Sequence, residues 1–426
     1  MAEPTIQRLN EILERARRRG AQRVEALYRS ARGWDLRVER GKVTHRARVE
    51  EDTLTVRVWT AAGGGRAAGR MLGAEAVIGA ALAAVKPVDE LDGPVPRIQP
   101  LEGGLAIEDR RWSALEEGDR VEVLVDAERA LRAGERFSVE PVAWSDRAAY
   151  RAFASTAGMS GSERSNLYRV GAACALPDGL TLHGELSTRT FASIASLPFG
   201  VDLARRATAL MAPRMELPAG PIRVLFGSPV TARLLDQLAR LCVPWVAGRS
   251  FLSGVVLDPR VHLVDDPLLA GGLRTRGFDD RGVPPMPLTL LKEGQLHARY
   301  LDPIGAARSE IRPSGHVWED ELGPSNLILR HGTRSVHVIL ADIGGRTFAP
   351  DDMPDWSGLD PATGRFAATV NGTVYEGSRA VGSAVGVRLE ADLATVLSSL
   401  VEISGETDRI GHVDAPAIVL DGFSVV

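Results

Sequence analysis

Two acidic pairs are the first residues whose types and spacing suggest chemistry: Asp265-Asp266, and Asp279-Asp280 followed by Arg281 and Gly282. Two carboxylates held close can share a proton or grip a divalent cation. Adjacent residues of a strand point to opposite faces, however, so neither pair forms a dyad by itself. Turn chemistry accounts for both: Asp266 precedes Pro267 and opens a turn, and Asp279 or Asp280 accepts backbone N–H groups before Gly282. Nucleophilic catalysis has less to stand on. Gly248-Arg249-Ser250-Phe251 lacks the second glycine of a nucleophile elbow, and Gly158-Met159-Ser160-Gly161 is one residue short of it. The eight histidines (His45, His183, His262, His297, His316, His331, His337 and His412) make no recognised ligand pair and read as scattered surface residues. Gly63-Gly64-Gly65 is not followed by the Gly-Lys-Ser/Thr of a phosphate loop and reads as a flexible hairpin or loop. Arg308, Arg312 and His316, in a loop over 306–323, could bind a substrate carboxylate, with solvated arginines as the plainer reading.

These residues lie in or near a stretch dense in turn signals. Ile222, Val224 and Phe226 alternate as a strand, and Gly227-Ser228-Pro229 then starts a helix with Leu234, Leu235, Leu238 and Leu241 on one face. Upstream, Ile6, Leu9, Ile12, Leu13 and Ala16 predict a helix over 4–20 stopped by Gly20. Alternation predicts strands over 24–29, 34–39, 43–49 and 54–59, with a hairpin at Gly41-Lys42, and then a helix over 74–85 ended before Pro87. A Pro, Gly and acid-rich segment over 87–117 reads as a linker. Beyond it a helix through Val121–Leu131 precedes strands over 137–144, 148–155, 166–176 and 181–190 and a helix over 201–211. After Asp302 short strands dominate, at 326–329, 336–341, 365–370, 374–376 and 385–389, with one helix over 392–403. The fold class is α+β: N-terminal α/β units, helices plus antiparallel sheet, then a β-rich C-terminal domain. The boundaries are 1–86, a linker over 87–117, 118–212 and 218–426.

With 426 residues, 44% hydrophobic and 25% charged, the chain has an ordinary globular composition of two or three domains. A formal charge of -4 supplies no footprint for nucleic acid. Cys174 and Cys242 are distant from each other and fit a reducing compartment as two buried small hydrophobes. The first twenty residues lack the apolar core of a signal peptide, and no apolar run is long enough to span a bilayer, so a cytoplasmic location is expected.

One ordered set of motifs goes further than composition. Ser250-Phe251-Leu252, Asp265-Asp266-Pro267, Phe278-Asp279-Asp280-x-Gly282-Val283, Leu291-x-Glu293-Gly294-x-Leu296, Tyr300-Leu301, Pro324-x-Asn326, Thr363-Gly364-x-Phe366 and Ala415-Pro416-Ala417-Ile418 follow one another in an order that resembles the TldD/PmbA family. The catalytic members carry His-Glu-x-x-x-His on the helix after the first strand of this region. Two histidines a helical turn apart grip zinc there, and the glutamate takes a proton from its water. Here that helix reads PVTARLLDQLARLC, without histidine or glutamate, and the cysteine ligand expected near the C-terminus is replaced by a segment offering only His412. The resemblance is therefore to the PmbA (TldE) side, the subunit without the metal motif. It implies no zinc in this chain, zinc in a TldD-like catalytic partner, and a complex that degrades or processes unfolded or modified peptides. It also implies a cleft for an extended peptide, with Ser250, Phe251, Asp265, Asp266, Phe278, Asp279, Asp280, Arg281, Gly282 and Asn326 as its candidate residues. The family has a glutamate where Arg281 stands. A metal-free homodimer with a divergent reaction and a peptide-binding scaffold are the alternative readings.

Overall fold

A computed structural model describes residues 2–89, 92–95, 104–133, 136–244, 249–351, 353 and 358–426. Its N-terminal half is a seven-stranded antiparallel sheet backed by helices on one face. The elements are α1 (Ala2–Arg18), β1 (Arg23–Glu39), β2 (Lys42–Thr60), β3 (Gly63–Gly69), α2 (Ala74–Ala83), α3 (Glu117–Arg132), β4 (Ser138–Val139), β5 (Val142–Ser155), β6 (Ser160–Ala175), β7 (Thr181–Thr188), α4 (Phe191–Ser196) and α5 (Phe199–Leu210). The strand order is β3-β2-β1-β5-β6-β4, with β7 also on β6.

Where the sequence predicts four short strands, β1 and β2 run unbroken as one long hairpin. Its turn centres on Arg40 and Gly41, both at positive φ (52° and 70°), the mirror-image turn whose twist suits a two-residue hairpin. The buried Glu128 carboxylate of α3 fixes that tip by accepting the N–H groups of Arg40 (2.6 Å) and Gly41 (2.8 Å). The glycine run at 63–65 is strand β3 rather than a loop. A Cβ at Gly65 would come within 2.1 Å of the Ala81 carbonyl, so the missing side chains let α2 lie close on this edge.

The segments 1–86 and 118–212 share this one sheet, because β1 pairs with β5 from Glu25↔Ser155 to Val38↔Val142. Even-numbered side chains of the two strands face the helices: Val24, Ala26, Ala152 and Ala154 pack under α1 and α2, while Leu36, Val38 and Trp144 pack with α3 and α5. Residues 90–91 and 96–103 of the expected linker lie outside the described residues. Its later part docks on the sheet, with Trp112 donating to Asp146 (2.9 Å) and Tyr168 donating to Asp109 (2.9 Å).

The C-terminal half is built on β8 (Gly220–Phe226), α6 (Ser228–Arg240), β9 (Leu263–Asp265), β10 (Leu288–Lys292), β11 (Gln295–Leu296), α7 (Pro303–Arg308), β12 (Val317–Trp318), β13 (Glu321–Leu322), β14 (Leu327–Leu329), α8 (Val336–Ile343), β15 (Arg346–Pro350), β16 (Arg365–Glu376), β17 (Arg379–Asp392), α9 (Leu393–Ser398), β18 (Leu400–Ile410) and β19 (Val413–Val425). Ten of these strands form one sheet that closes on itself, β8 pairing with β15 at one side and with β19 at the other. Phe226, Phe348, Val374, Leu389 and Phe423 fill its interior, with the rings of Phe226 and Phe423 edge to face at 5.4 Å.

Two expectations fail here. The segment 336–341 is a helix, because Ser335 caps it and Ile339 and Leu340 bury one face; its valines and isoleucine favour a strand only in isolation. The helix expected over 392–403 ends at Ser398, and the chain continues as β18 against β19.

One buried network ties the N-terminal half together. Asp146, 1% exposed, accepts from Trp112 and Trp144 (2.9 Å each) and from Arg120 (2.5 Å), itself 2% exposed. Removing the carboxylate leaves a buried guanidinium without its counter-ion. We expect Asp146→Ala to lower the unfolding free energy by about 3–5 kcal/mol in urea titration, well above the median for a surface change.

Candidate functional site

The residues singled out by sequence fall into three separate environments. Phe278–Gly282 forms a loop pressed on the sheet face opposite the N-terminal helices. There Asp280, 1% exposed, receives hydrogen bonds from Arg29, from Arg151 (2.7 Å) and from the Glu319 N–H (2.5 Å). Arg151 also reaches Glu163 (2.6 Å) and the Phe278 carbonyl (3.3 Å). Burial works to raise the Asp280 pKa, but the Arg151 and Arg29 guanidinium groups outweigh it and hold the carboxyl below its ordinary range. Asp279 goes the other way. Its carboxylate accepts the N–H groups of Arg281, Val283 (both 2.9 Å) and Val317 (3.1 Å), yet burial dominates and pushes its pKa up.

Arg281 donates to Glu25 (3.0 Å) and to the Gly93 carbonyl (2.9 Å) and lies over the Trp59 ring. Gly282 has φ +74°, and a Cβ there would come within 2.2 Å of the Phe153 ring, so only glycine lets the loop sit this close to the strand. Phe278 packs on Phe153, Leu27 and Met159. The two-residue turn of the β12–β13 hairpin, Glu319 and Asp320, lies at the same face. Asp320 pairs with Arg57 and Arg66, and Trp318 lies under the guanidinium groups of Arg29, Arg151 and Arg276.

Asp265 and Asn326 form a second cluster. Asp265, fully buried at the end of β9, accepts from the Tyr300 hydroxyl (2.7 Å), the Ser325 N–H (2.8 Å) and the Ser325 hydroxyl. Burial raises its pKa, but His316, Ser325 and Tyr300 together keep it below the usual value. His316 is 0% exposed, which corrects the reading of the histidines as surface residues: its Nδ1 meets the Ser314 carbonyl (2.9 Å), and Nε2 stands 3.7 Å from Asp265. Asp266 instead opens its turn, accepting the Leu268 N–H at 2.9 Å. Asn326 clamps that turn from the next strand, donating to the Asp266 carbonyl and to Thr275 (2.9 Å each) and accepting from Arg274 N–H (2.9 Å).

Ser250 and Phe251 lie apart from both clusters. Each is buried, and Phe251 packs against Gly364 while its N–H donates to the Pro361 carbonyl (3.0 Å). Gly248 lies outside the described residues. Arg308 pairs with Asp89, and Arg312 donates to the Pro284 carbonyl at 2.6 Å.

A fourth environment, the pairing of Asp236 with His412, was missed in the sequence. On α6, whose Val230, Leu234, Leu235 and Leu238 are buried in the core, the polar side carries Asp236. His412, in the turn before β19, hydrogen-bonds it through Nε2 at 2.9 Å; Arg240 donates to it at 2.8 Å, and Arg274 stands 3.9 Å away. Burial opposes ionisation of Asp236, but His412 and Arg240 bring its pKa down to about 2. Burial also lowers the pKa of His412. The neutral imidazole with Nε2–H aimed at an ionised Asp236 satisfies both directions. Cys242, at the end of the helix, is buried and its thiol is pushed up to about 12, which removes it as a thiolate.

This donor set does not fit zinc. Asp236 and His412 already satisfy one another, two guanidinium groups share the space, and no group of three or more His, Cys, Asp or Glu able to hold a metal occurs among the described residues. No signal from spacing could have found this pair, since its members are far apart in sequence. Arg29, Arg57, Arg151 and Glu25 were legible in principle, as charges alternating with apolar residues in strands too apolar to be solvated on both faces.

Residues 219–426 match the PmbA/TldA metallopeptidase C-terminal domain. The C-terminal half of the chain is a TldD/PmbA-family domain. TldE from Thermococcus kodakarensis is similar in fold over 98% of this chain and 100% of its own (TM-score 0.85, 16% identity). So are two proteins described as putative modulators of DNA gyrase. The one from Thermotoga maritima matches over 99% of both chains (TM-score 0.83, 18% identity), and the one from Bacteroides thetaiotaomicron over 98% of both (TM-score 0.85, 17% identity). No functionally curated protein matches the sequence. Among the described residues, no helix is long and apolar enough to cross a membrane.

Two outcomes are expected. Asp280→Ala takes one of two carboxylates from the buried Arg151 and the partner of Arg29, and should cost about 3–5 kcal/mol of folding stability, read by urea titration. The Asp236–His412 pair sets a pH dependence. Both folded pKa values are depressed, so both contributions are present above the unfolded values and are lost as pH falls, first below about 6.5 for His412 and then between about 3.9 and about 2 for Asp236. Thermal melts of His412→Gln across this range should shrink the upper step and, because His412 helps hold the Asp236 pKa down, weaken the lower one as well; an unchanged upper step refutes the assignment.

Proposed function

We propose that this chain is the metal-free, TldE-like subunit of a cytoplasmic two-subunit peptidase. A TldD-like partner supplies the zinc and its activated water, and this chain supplies wall and frame for an extended peptide. The observation that carries this reading is the polar side of α6. The helix follows its strand in the family's order, and its one carboxylate is bound by an imidazole and a guanidinium. A helix so occupied presents no vacant ligand set to a metal and no free base to a water.

The Phe278–Gly282 loop and the Asp265 cluster then have a framing role. Their carboxylates are held by arginines, backbone N–H groups and hydroxyls, which fixes both loops in place. An extended peptide in such a frame would bind through main-chain hydrogen bonds to a strand edge.

Co-expression with a TldD-like chain, followed by mass measurement and zinc analysis, tests the reading. The expected result is a complex holding zinc and cleaving unfolded peptides in a chelator-sensitive manner, while this chain purified alone neither retains zinc nor cleaves. Stoichiometric zinc and chelator-sensitive cleavage by this chain alone would overturn it.

A further inference from the structure

The open edge of the N-terminal sheet carries a charge order that fits one partner. Strand β2 pairs with β1 along almost its whole length, but β3 covers its other side only from Leu54 to Thr60. Among the described residues, the stretch 43–53 therefore has a strand neighbour on one side alone and presents an open edge about 35 Å long. It contains no proline, and its side chains are exposed or half-buried throughout.

Edges of this length are blunted when their charges share one sign. Here the sign changes midway: Arg46 and Arg48 precede Val49, and Glu50, Glu51 and Asp52 follow it. Arg46, Arg48, Glu50 and Asp52 share one face of the strand. Arg48 and Glu50 bind each other at 3.1 Å and are 63% and 67% exposed, so both are available to a further strand. Arg46, 55% exposed, pairs with Glu117; Asp52, 21% exposed, accepts from Arg70 and the Met71 N–H, so the central Arg48 and Glu50 carry most of the complementarity.

We infer that this edge pairs antiparallel with the same edge of a second copy of the chain. With Val49 opposite Val49 on a two-fold axis, Arg48 stands opposite Glu50, Arg46 opposite Asp52, and the same pairs recur on the other side of the axis. The charges also fix the register. A two-residue slip one way sets Arg48 against Arg48, and the other way sets Glu50 against Glu50, each a like-charge contact at the centre. The product is one antiparallel sheet continuous across two copies. The inference does not depend on a catalytic partner.

The test uses the full chain purified alone, with mass determined by light scattering and sedimentation at low and high salt. A dimer at low salt, weakened at least tenfold at high salt, is expected. Arg48→Glu and Glu50→Arg each place like charges across the axis and should each give monomers. Mixed together, these two variants become complementary and should form a one-to-one heterodimer, and the double variant R48E/E50R should dimerise again. Circular dichroism and melting temperature report that the exposed substitutions leave the fold intact. A wild-type monomer at every salt concentration overturns the inference, as do single variants that dimerise as well as wild type. A chain that is monomeric alone yet joins a TldD-like partner refutes the paired edge and leaves the proposed function standing.

Discussion

A buried carboxylate bridging two halves of the molecule is the constraint on which the rest of this structure depends. Asp280 enters a sheet face on which Arg29 would otherwise lack a carboxylate and Arg151 would have Glu163 alone. Neither half is electrostatically complete at this face alone. Asp320, Arg281 and Glu25 extend the same logic, so charges from opposite ends of the sequence neutralise one another out of water. Such networks are costly to assemble and more costly to break, which makes them devices for fixing one relative placement.

That placement governs what surrounds α6. Its apolar side is committed to the interior of the closed sheet, and Asp236 on its polar side faces the segment that carries Arg274 and the turn that carries His412. The polar side of this helix is taken up by an imidazole and a guanidinium held on one carboxylate. The surrounding clusters are satisfied in the same manner, by hydroxyls and backbone N–H groups rather than by open valences.

Much of the fold was legible because local rules and tertiary packing agreed. The helices α1, α2, α3 and α6, the alternation of β1 and β5, and the order of the C-terminal motifs all follow from periodicity. Agreement broke where tertiary context overrode propensity, as in the valine-rich α8, the glycine strand β3 and the early end of α9. At the candidate site, the turn role of Asp266 and the backbone contacts of Asp279 were readable from their turn residues. The partners of Asp280 and Asp236 were not, because long-range ion pairs leave no spacing in the chain, and a buried His316 looks like any other histidine in a sequence.

Strand β19 has a further consequence. It is bonded to β8, β14, β17 and β18, making the final segment of this sequence the hub of the C-terminal sheet. A chain emerging residue by residue can complete the N-terminal sheet early, but it must hold β8, β14, β17 and β18 unclosed until the hub arrives. Folding of this half is therefore governed by the most distant contacts in it, such as Gly220 with Val425, and loop-closure entropy falls on the last step rather than the first. Until then the apolar interiors of β8 and β16 stay exposed, so the period before β19 docks is when the chain is most open to misassociation.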